Sequence, residues 1–506
     1  METVTTGQKK PTHDWLKTIR IAYVPGAETP MIAGVARSLM AAFAEMGHTV
    51  LPAPQGTTDV VVTTARFGEP ANWREALFFT SRRRFKLENS PTVFTLIQVT
   101  PQQLGDLMGY FEKILEKPEV DPADYQFPGL SPRAPHTMHE QGRRGGPILA
   151  VARLLQSQAM CLRIILVVGE EQPQEAYTFD LVGAFPRTDA SDPKTFYQDL
   201  ALRVLTAVST HEITNHQIVG ELISQAEWQA LRTPQAMRIA GRELGVRNFF
   251  TEMVVVGNLV NVPALSGAIS SQYSEGCYAT WDTDLGCLVA TITGSARPVE
   301  KENLTDDELA VIAGVRPDGL GALVRHVEGK RNDPPSSEAV ELIEMDLGLP
   351  RINWHNSCND PIEVPVARSK LHGHRGIRSF NPQRIEHVHL HSAYYHYPVS
   401  CSTEAQARAI QAAFHASQTL ENPEDPRQIV FTQLPGHGIV LVEKWVEGKA
   451  PLQMIWEAMD AGDLEVDNLV PQGPFRYEAG EDGRMVLRAG ASPSSGSGAE
   501  AGGSQP

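Results

Sequence analysis

Histidine is concentrated in the last third of this chain. Ten of the sixteen lie between His326 and His437, and six of those fall between His372 and His396. Imidazole can donate a lone pair to a divalent metal, and its near-neutral pKa lets it exchange protons at physiological pH. In LHGHRG, His372 and His374 stand two residues apart, so on an extended strand both project from one side and can approach a single ion or substrate. His387, His389 and His391 repeat the spacing, but Tyr394, Tyr395 and Tyr397 nearby fit packing at an interface equally well. His437 lies between glycines in LPGHGIVLVEKW, which places it on a tight turn before a buried strand, where a backbone can come close to a ligand.

Carboxylates form the second candidate group. In SQYSEGCYATWDTDLGCLVATITGSARPVEKENL, Glu275, Asp282 and Asp284 precede an apolar run and Glu300 follows it. Such groups bind hard cations through oxygen or act as general acids and bases. Asp282 and Asp284 read as turn or cap residues, and Glu275, set before Gly276 among aromatic neighbours, as the stronger site candidate. The segment HEITNH does not make a zinc-protease helix, because His211 and His216 are five residues apart and about 140° apart around a helix of 3.6 residues per turn. No GxxxxGK[ST] loop, GxSxG elbow or GxGxxG after the first strand is present, which removes the simplest nucleotide hydrolases, serine hydrolases and dinucleotide oxidoreductases.

The elements that must hold these residues are legible in part. IRIAYVPG reads as a buried strand, followed by a helix capped by Thr29, with Pro30 in its first turn and a stop at Gly47. HTVLPA, DVVVTTAR and TVFTLIQV are further strands, and Thr100-Pro101 opens another helix. Alternation of this kind predicts a doubly wound parallel sheet with ligands beyond its carboxyl ends, near Gly26, Glu28 and residues 63–66. GGPILAVARLL reads as a helix, CLRIILVVG as the buried strand of a second sheet with TFDLVGAFP beside it, and Asp192-Pro193 as the start of a capped helix. Past Cys358, the runs IEHVHLHSAYYHYPV, RQIVFTQL and GIVLVEKW are extended, with one helical interval at 405–417.

The expected class is α/β, with two doubly wound α/β domains followed by a smaller β-rich C-terminal domain. Its expected divisions are a flexible 1–16, an N-terminal domain at 17–146 with a long connecting loop, a second domain at 147–357, a β-rich domain at 358–488 and a disordered tail at 489–506. A formal charge of -16 disfavours nucleic acid and anionic membrane surfaces as partners. The five cysteines are scattered, with no CxxC pair, and read as reduced thiols. The chain has no apolar signal core and no span of bilayer length, so a cytoplasmic location is expected.

This arrangement resembles the L-fucose and L-arabinose isomerase superfamily, in which two α/β domains precede a β-rich one and acidic ligands of the second domain join a late histidine at a metal. SEGCYATWDTDLGCLVATITGSARPVE is similar to the family's acidic segment and puts Glu275 and Glu300 in the ligand positions, with Glu300 where an aspartate is usual. The resemblance implies a homo-oligomeric aldose-ketose isomerase working through an enediol on a sugar substrate. It implies a divalent Mn²⁺ or Mg²⁺ held by Glu275, Glu300 and His437, with the two carboxylates shuttling the proton. His372, His374, Arg375, Arg378 and Tyr395 are then the sugar-binding candidates, with the His372, His374 pair as alternative ligands. The first strand and helix also look like those of nucleotide-sugar glycosyltransferases, and a non-catalytic ligand-binding or assembly protein with a histidine-lined interface is the third reading.

Overall fold

A computed structural model of the chain describes residues 18–67, 92–106, 162–179, 187–208, 215–247, 276–293, 301–391, 402–435, 437–467 and 475–489, with short pieces at 109, 213, 249–250, 252–254, 272–274 and 471. It has mixed α/β content in several sheets. The first has seven strands: β1 (Arg20–Val24), β2 (Thr49–Leu51), β3 (Val60–Arg66), β4 (Thr92–Val99), β5 (Leu162–Gly169), β6 (Pro173–Phe179) and β7 (Arg187–Asp189). Their order is β2-β1-β3-β4-β5-β6-β7; the first five are parallel, and β6 and β7 run antiparallel at one edge.

Helix α1 (Pro30–Glu45) forms as its caps predict. Thr29 accepts from the Ile32 amide, Pro30 opens the first turn, and Gly47 follows with a φ of 86°. Its apolar face, Ile32, Val35, Leu39 and Phe43, packs with Phe196, Leu200 and Val204 of α2 (Pro193–Val208) against Val60, Phe94 and Ile165 of the sheet. The strand expected to open a second sheet, CLRIILVVG, instead pairs along its length with β4 as β5 of this first sheet. Its unbroken apolar run suits a strand buried on both faces of a parallel sheet, and hydrophobicity alone does not say which sheet it joins. The segment GGPILAVARLL lies outside the described residues.

The second large sheet is not doubly wound. It comprises β8 (Gln217–Ile218), β11 (Cys277–Asp282), β12 (Cys287–Thr291), β13 (Leu309–Val315), β14 (Ala322–Arg325), β17 (Ala367–Gly373), β19 (Ile385–His387), β20 (Ile429–Leu434) and β21 (Gly438–Lys444). Its order is β19-β20-β21-β17-β11-β12-β13-β14-β8, antiparallel except at its two edge strands. Strands expected in a second α/β domain and strands expected in a separate β-rich domain therefore share one sheet, through the pairing of β11 with β17.

Two layers cover its faces. On one, α5 (Ser337–Glu344) and α6 (Glu404–Phe414) pack over Cys277, Ala279, Val440 and Val442. On the other, α4 (Thr233–Val246) and α8 (Gln453–Asp460) pack over Tyr278, Leu371 and Leu441. Beside that layer lies a four-stranded sheet, ordered β22 (Leu464–Asp467), β18 (Gly376–Phe380), β24 (Met485–Ala489), β23 (Phe475–Ala479). Two antiparallel pairs, β9 (Glu252–Val254) with β10 (Gln272–Ser274) and β15 (Arg351–His355) with β16 (Pro361–Pro365), the short helices α3 (Gln225–Ala230) and α7 (Gln418–Glu421), and 3-10 turns at Lys301–Asn303 and Asp306–Glu308 are also present. No helix among the described residues is long and apolar enough to cross a membrane.

Candidate metal centre

Strand alternation aims the first histidine. On β17, Leu371 faces the layer of α4 and α8, so His372, opposite Cys277 of β11 and Val440 of β21, faces the layer of α5. His374 follows just past the end of β17. His437 sits on the turn between β20 and β21, closed by its own amide donating to the Leu434 carbonyl at 2.9 Å. Glu338, in the first turn of α5, comes down onto the three rings from the helical layer.

Two glycines allow this convergence. A Cβ on Gly438 would stand 2.1 Å from the Gly373 carbonyl oxygen, so only glycine lets the His437 turn close on the end of β17. Gly276, with a φ of 83°, would put a Cβ 2.4 Å from the His372 carbonyl oxygen. A side chain at Gly438 would part the His437 turn from the end of β17, and one at Gly276 would push against the backbone of His372.

Glu338, His372, His374 and His437 are all buried, and one ligand atom from each lies within 4.8 Å of every other. The ring centroids of His372, His374 and His437 are 4.8 to 5.2 Å apart. The Nε2 atoms of His372 and His437 each stand 3.4 Å from the same oxygen of Glu338. That is long for an N–H···O hydrogen bond. It is the spacing expected of two ligands sharing an ion, since donors about 2.1 Å from one metal lie roughly 3.0 Å apart at a right angle and roughly 3.4 Å apart at the tetrahedral angle.

The tautomer of His372 fits the same role. Its Nδ1 lies 3.0 Å from the Ile439 carbonyl oxygen, which can only accept, so Nδ1 carries a proton and Nε2 is the nitrogen that faces the cluster, an N–H beside Glu338 or, once deprotonated, a ligand to an ion. Burial alone would raise the Glu338 carboxyl, but the imidazoles of His372 and His437 outweigh it and hold the group well below the usual carboxylate range. Glu338 is thus an anion facing three nitrogen donors. Around the centre, burial and the negative charge of Glu338 push the Cys277 thiol well up. Burial, then the same charge, also pushes Glu341 well above its ordinary value, opposed by a hydrogen bond from Gln406.

The structure brings together three of the residues singled out from sequence, His372, His374 and His437, and adds Glu338. Arg375 is buried next to His374 in the chain. Arg378 is not brought to the cluster; it lies on β18, is mostly exposed and pairs with Glu465 at 3.5 Å. Glu275, Glu300 and Tyr395 lie outside the described residues. Asp282 accepts from the amides of Asp284 and Leu285 at 2.9 and 2.8 Å, the turn role its sequence predicts. His387 and His389 form a separate group, their rings 4.2 Å apart, with His387 packed on Phe431 and Tyr477. His216 accepts from the Ala322 amide, and burial with the nearby Arg316 pushes its pKa down to about 4.

Glu338 had a faint signal in the sequence. In SSEAVELIEMDLG the glutamates recur every third residue among Ala339, Val340, Leu342 and Ile343, a stripe that ordinarily marks a solvated helix face. Here all eight residues of α5 are buried, because a sheet and a second helix enclose it. Comparison of the chain with protein-family models, with curated proteins and with solved structures finds no match.

Proposed function

We propose that this protein is a metal-dependent enzyme in which Glu338, His372, His374 and His437 hold one divalent first-row transition-metal ion. The observation that carries this reading is the convergence of a buried carboxylate and three imidazoles at ligand-to-ligand distances. Three nitrogen donors and one oxygen suit Mn²⁺, Fe²⁺, Zn²⁺ or their neighbours better than Mg²⁺, which favours an all-oxygen shell. His372 serves as a neutral donor oriented by the Ile439 carbonyl, and Glu338 contributes the single negative charge. Relative to the ligand set expected from sequence, His437 keeps its role and Glu338 takes the carboxylate role assigned to Glu275 and Glu300.

The reaction class we propose is aldose-ketose isomerisation of a small hydroxy-carbonyl substrate. When bound, such an ion would supply Lewis acidity to a substrate oxygen. The four side chains are nearly enclosed, which would keep bulk water away from an ion they held.

Elemental analysis of untagged protein exposed in turn to Mn²⁺, Fe²⁺, Zn²⁺ and Mg²⁺, beside the Glu338→Gln and His437→Ala variants, tests the centre. Near-stoichiometric transition metal in the wild type, lost in both variants, is the expected result; a wild type that retains none of these ions sinks the reading. A screen of aldoses and ketoses with the loaded protein then tests the reaction class. Turnover that vanishes in Glu338→Gln supports it, and full metal loading with no interconversion of any sugar removes it.

A further inference from the structure

The direction in which Glu338 points depends on the rotation of α5, and α5 is tied to α6 by an unusual buried contact. Glu341 lies one turn beyond Glu338 and is 1% exposed. The side-chain amide of Gln406, on α6, donates to both of its oxygens at 3.1 and 3.0 Å. Gln406 is in turn seated by its own backbone amide donating to Thr403 Oγ1 at 3.3 Å. At the start of α5, the hydroxyls of Ser337 and Ser402 meet at 2.6 Å, and Ser402 takes a φ of 60°, a conformation a serine adopts only when its surroundings impose it. Gln411 adds a bond from its amide to the Glu344 carbonyl at 3.0 Å.

Burying an ionisable group between two helices costs stability that an apolar pair would not, and in some proteins such groups specify one arrangement over another. Here the arrangement specified is the one that delivers Glu338 to the imidazoles. We propose that Glu341, clamped by Gln406, is a positioning residue of the metal centre, setting the helix rotation that aims Glu338 at the ion. The inference rests on the metal reading above and adds to it a residue outside the ligand set. Partners outside the ligand shell are worth about 10- to 100-fold in metal affinity where they orient a ligand.

The test is a Co²⁺ titration, followed by its visible absorption, of the full-length wild type, Glu341→Leu, Gln406→Leu and the exchanged double variant Glu341→Gln/Gln406→Glu. The exchange returns an amide-to-carboxylate bond with donor and acceptor swapped between the helices. Both leucine variants are expected to bind Co²⁺ about 10- to 100-fold more weakly, with an altered spectrum, and the exchange to recover the wild-type spectrum and most of the affinity. A purely structural contact would lower thermal stability but leave the spectrum of bound Co²⁺ unchanged. A wild-type affinity and spectrum in Glu341→Leu, or an exchanged pair as weak as the single variants, overturns the positioning role while leaving the metal centre intact. If Glu341→Leu does not fold, Gln406→Leu and the exchange decide the matter. A wild type that binds no Co²⁺ overturns the metal reading and this inference with it.

Discussion

The carboxyl ends of β1 and β3 and the ends of β17 and β21 both gather polar side chains, but they do so in opposite ways. In the first sheet, Thr64 accepts from the Gly26 amide at 2.8 Å and donates to Glu28 at 3.4 Å, the Tyr23 hydroxyl donates to Glu28, and Thr29 reaches Gln98. Hydroxyls and amides supply protons to each acceptor there, and the group closes on itself. In the nine-stranded sheet, a carboxylate meets the Nε2 atoms of two imidazoles at 3.4 Å, and the Nδ1 of His372 is taken up by the Ile439 carbonyl, which leaves its Nε2 facing the cluster. The first group is a structural knot of donors matched to acceptors, whereas a buried carboxylate ringed by three imidazoles is a donor set that suits a cation.

The largest effects should come from removing that cation or a ligand to it. Glu338→Gln, His372→Ala and His437→Ala should each weaken divalent transition-metal binding by more than about 100-fold, beyond the range seen for loss of outer partners, as read by competition with a chelating dye. In the wild type, ion at a hundred times its Kd should add about 2.7 kcal/mol of stability, and a chelator should abolish that gain. A Tm indifferent to metal and chelator would erase the contrast between the two clusters.

Next in size is the buried pair on the strand that carries His372. Lys370 Nζ lies 2.5 Å from Asp346 Oδ2, with the lysine side chain fully enclosed. Lys370→Met should cost about 3 kcal/mol by leaving a carboxylate buried alone, measured by urea unfolding. The Arg203–Asp199 pair of α2, one turn apart at 3.0 Å with side chains 10% and 19% exposed, keeps more contact with water than Lys370 does and should be worth less, about 1 kcal/mol in the same assay. Equal costs for the two would show that burial does not separate them.

The pH response should also divide the regions. Burial pushes Glu443 of β21 up to about 7, against the opposing hydrogen bond from the Leu452 amide at the start of α8 and the nearby Ser369 and Arg368. A carboxyl raised on folding binds its proton more tightly in the native state. Its stabilising contribution is full below the unfolded value near 4.5 and is lost as pH rises through about 7. Glu443→Gln should therefore flatten the fall in stability between about pH 5 and 8, and an unchanged slope would contradict the assignment. Thr64→Val should cost about 1 kcal/mol by opening one bond of the closed cluster and leave metal binding untouched.

Much of the local structure was legible in the residues. Thr29, Pro30 and Gly47 bound α1, Asp192 accepts from Lys194 and Thr195 at the head of α2, and the short apolar runs become β3, β4, β20 and β21. Sheet membership was not legible. Leu162–Gly169 joined the first sheet, and β11 joined β17 across ninety residues, because period-2 alternation states which face of a strand is apolar and not which strand lies beside it. The same limit divided the site. His372, His374 and His437 carried a signal in residue type, spacing and glycine flanks.

By itself, then, the sequence determined the mixed α/β class, the caps and strands, and the three imidazoles able to bind a metal. Only the tertiary structure chose the carboxylate that faces them. Glu338 sits on a helix whose glutamate stripe looks solvated until α6 and the sheet enclose it, and the distance from Glu338 to His372 is set by packing between layers that no local pattern encodes.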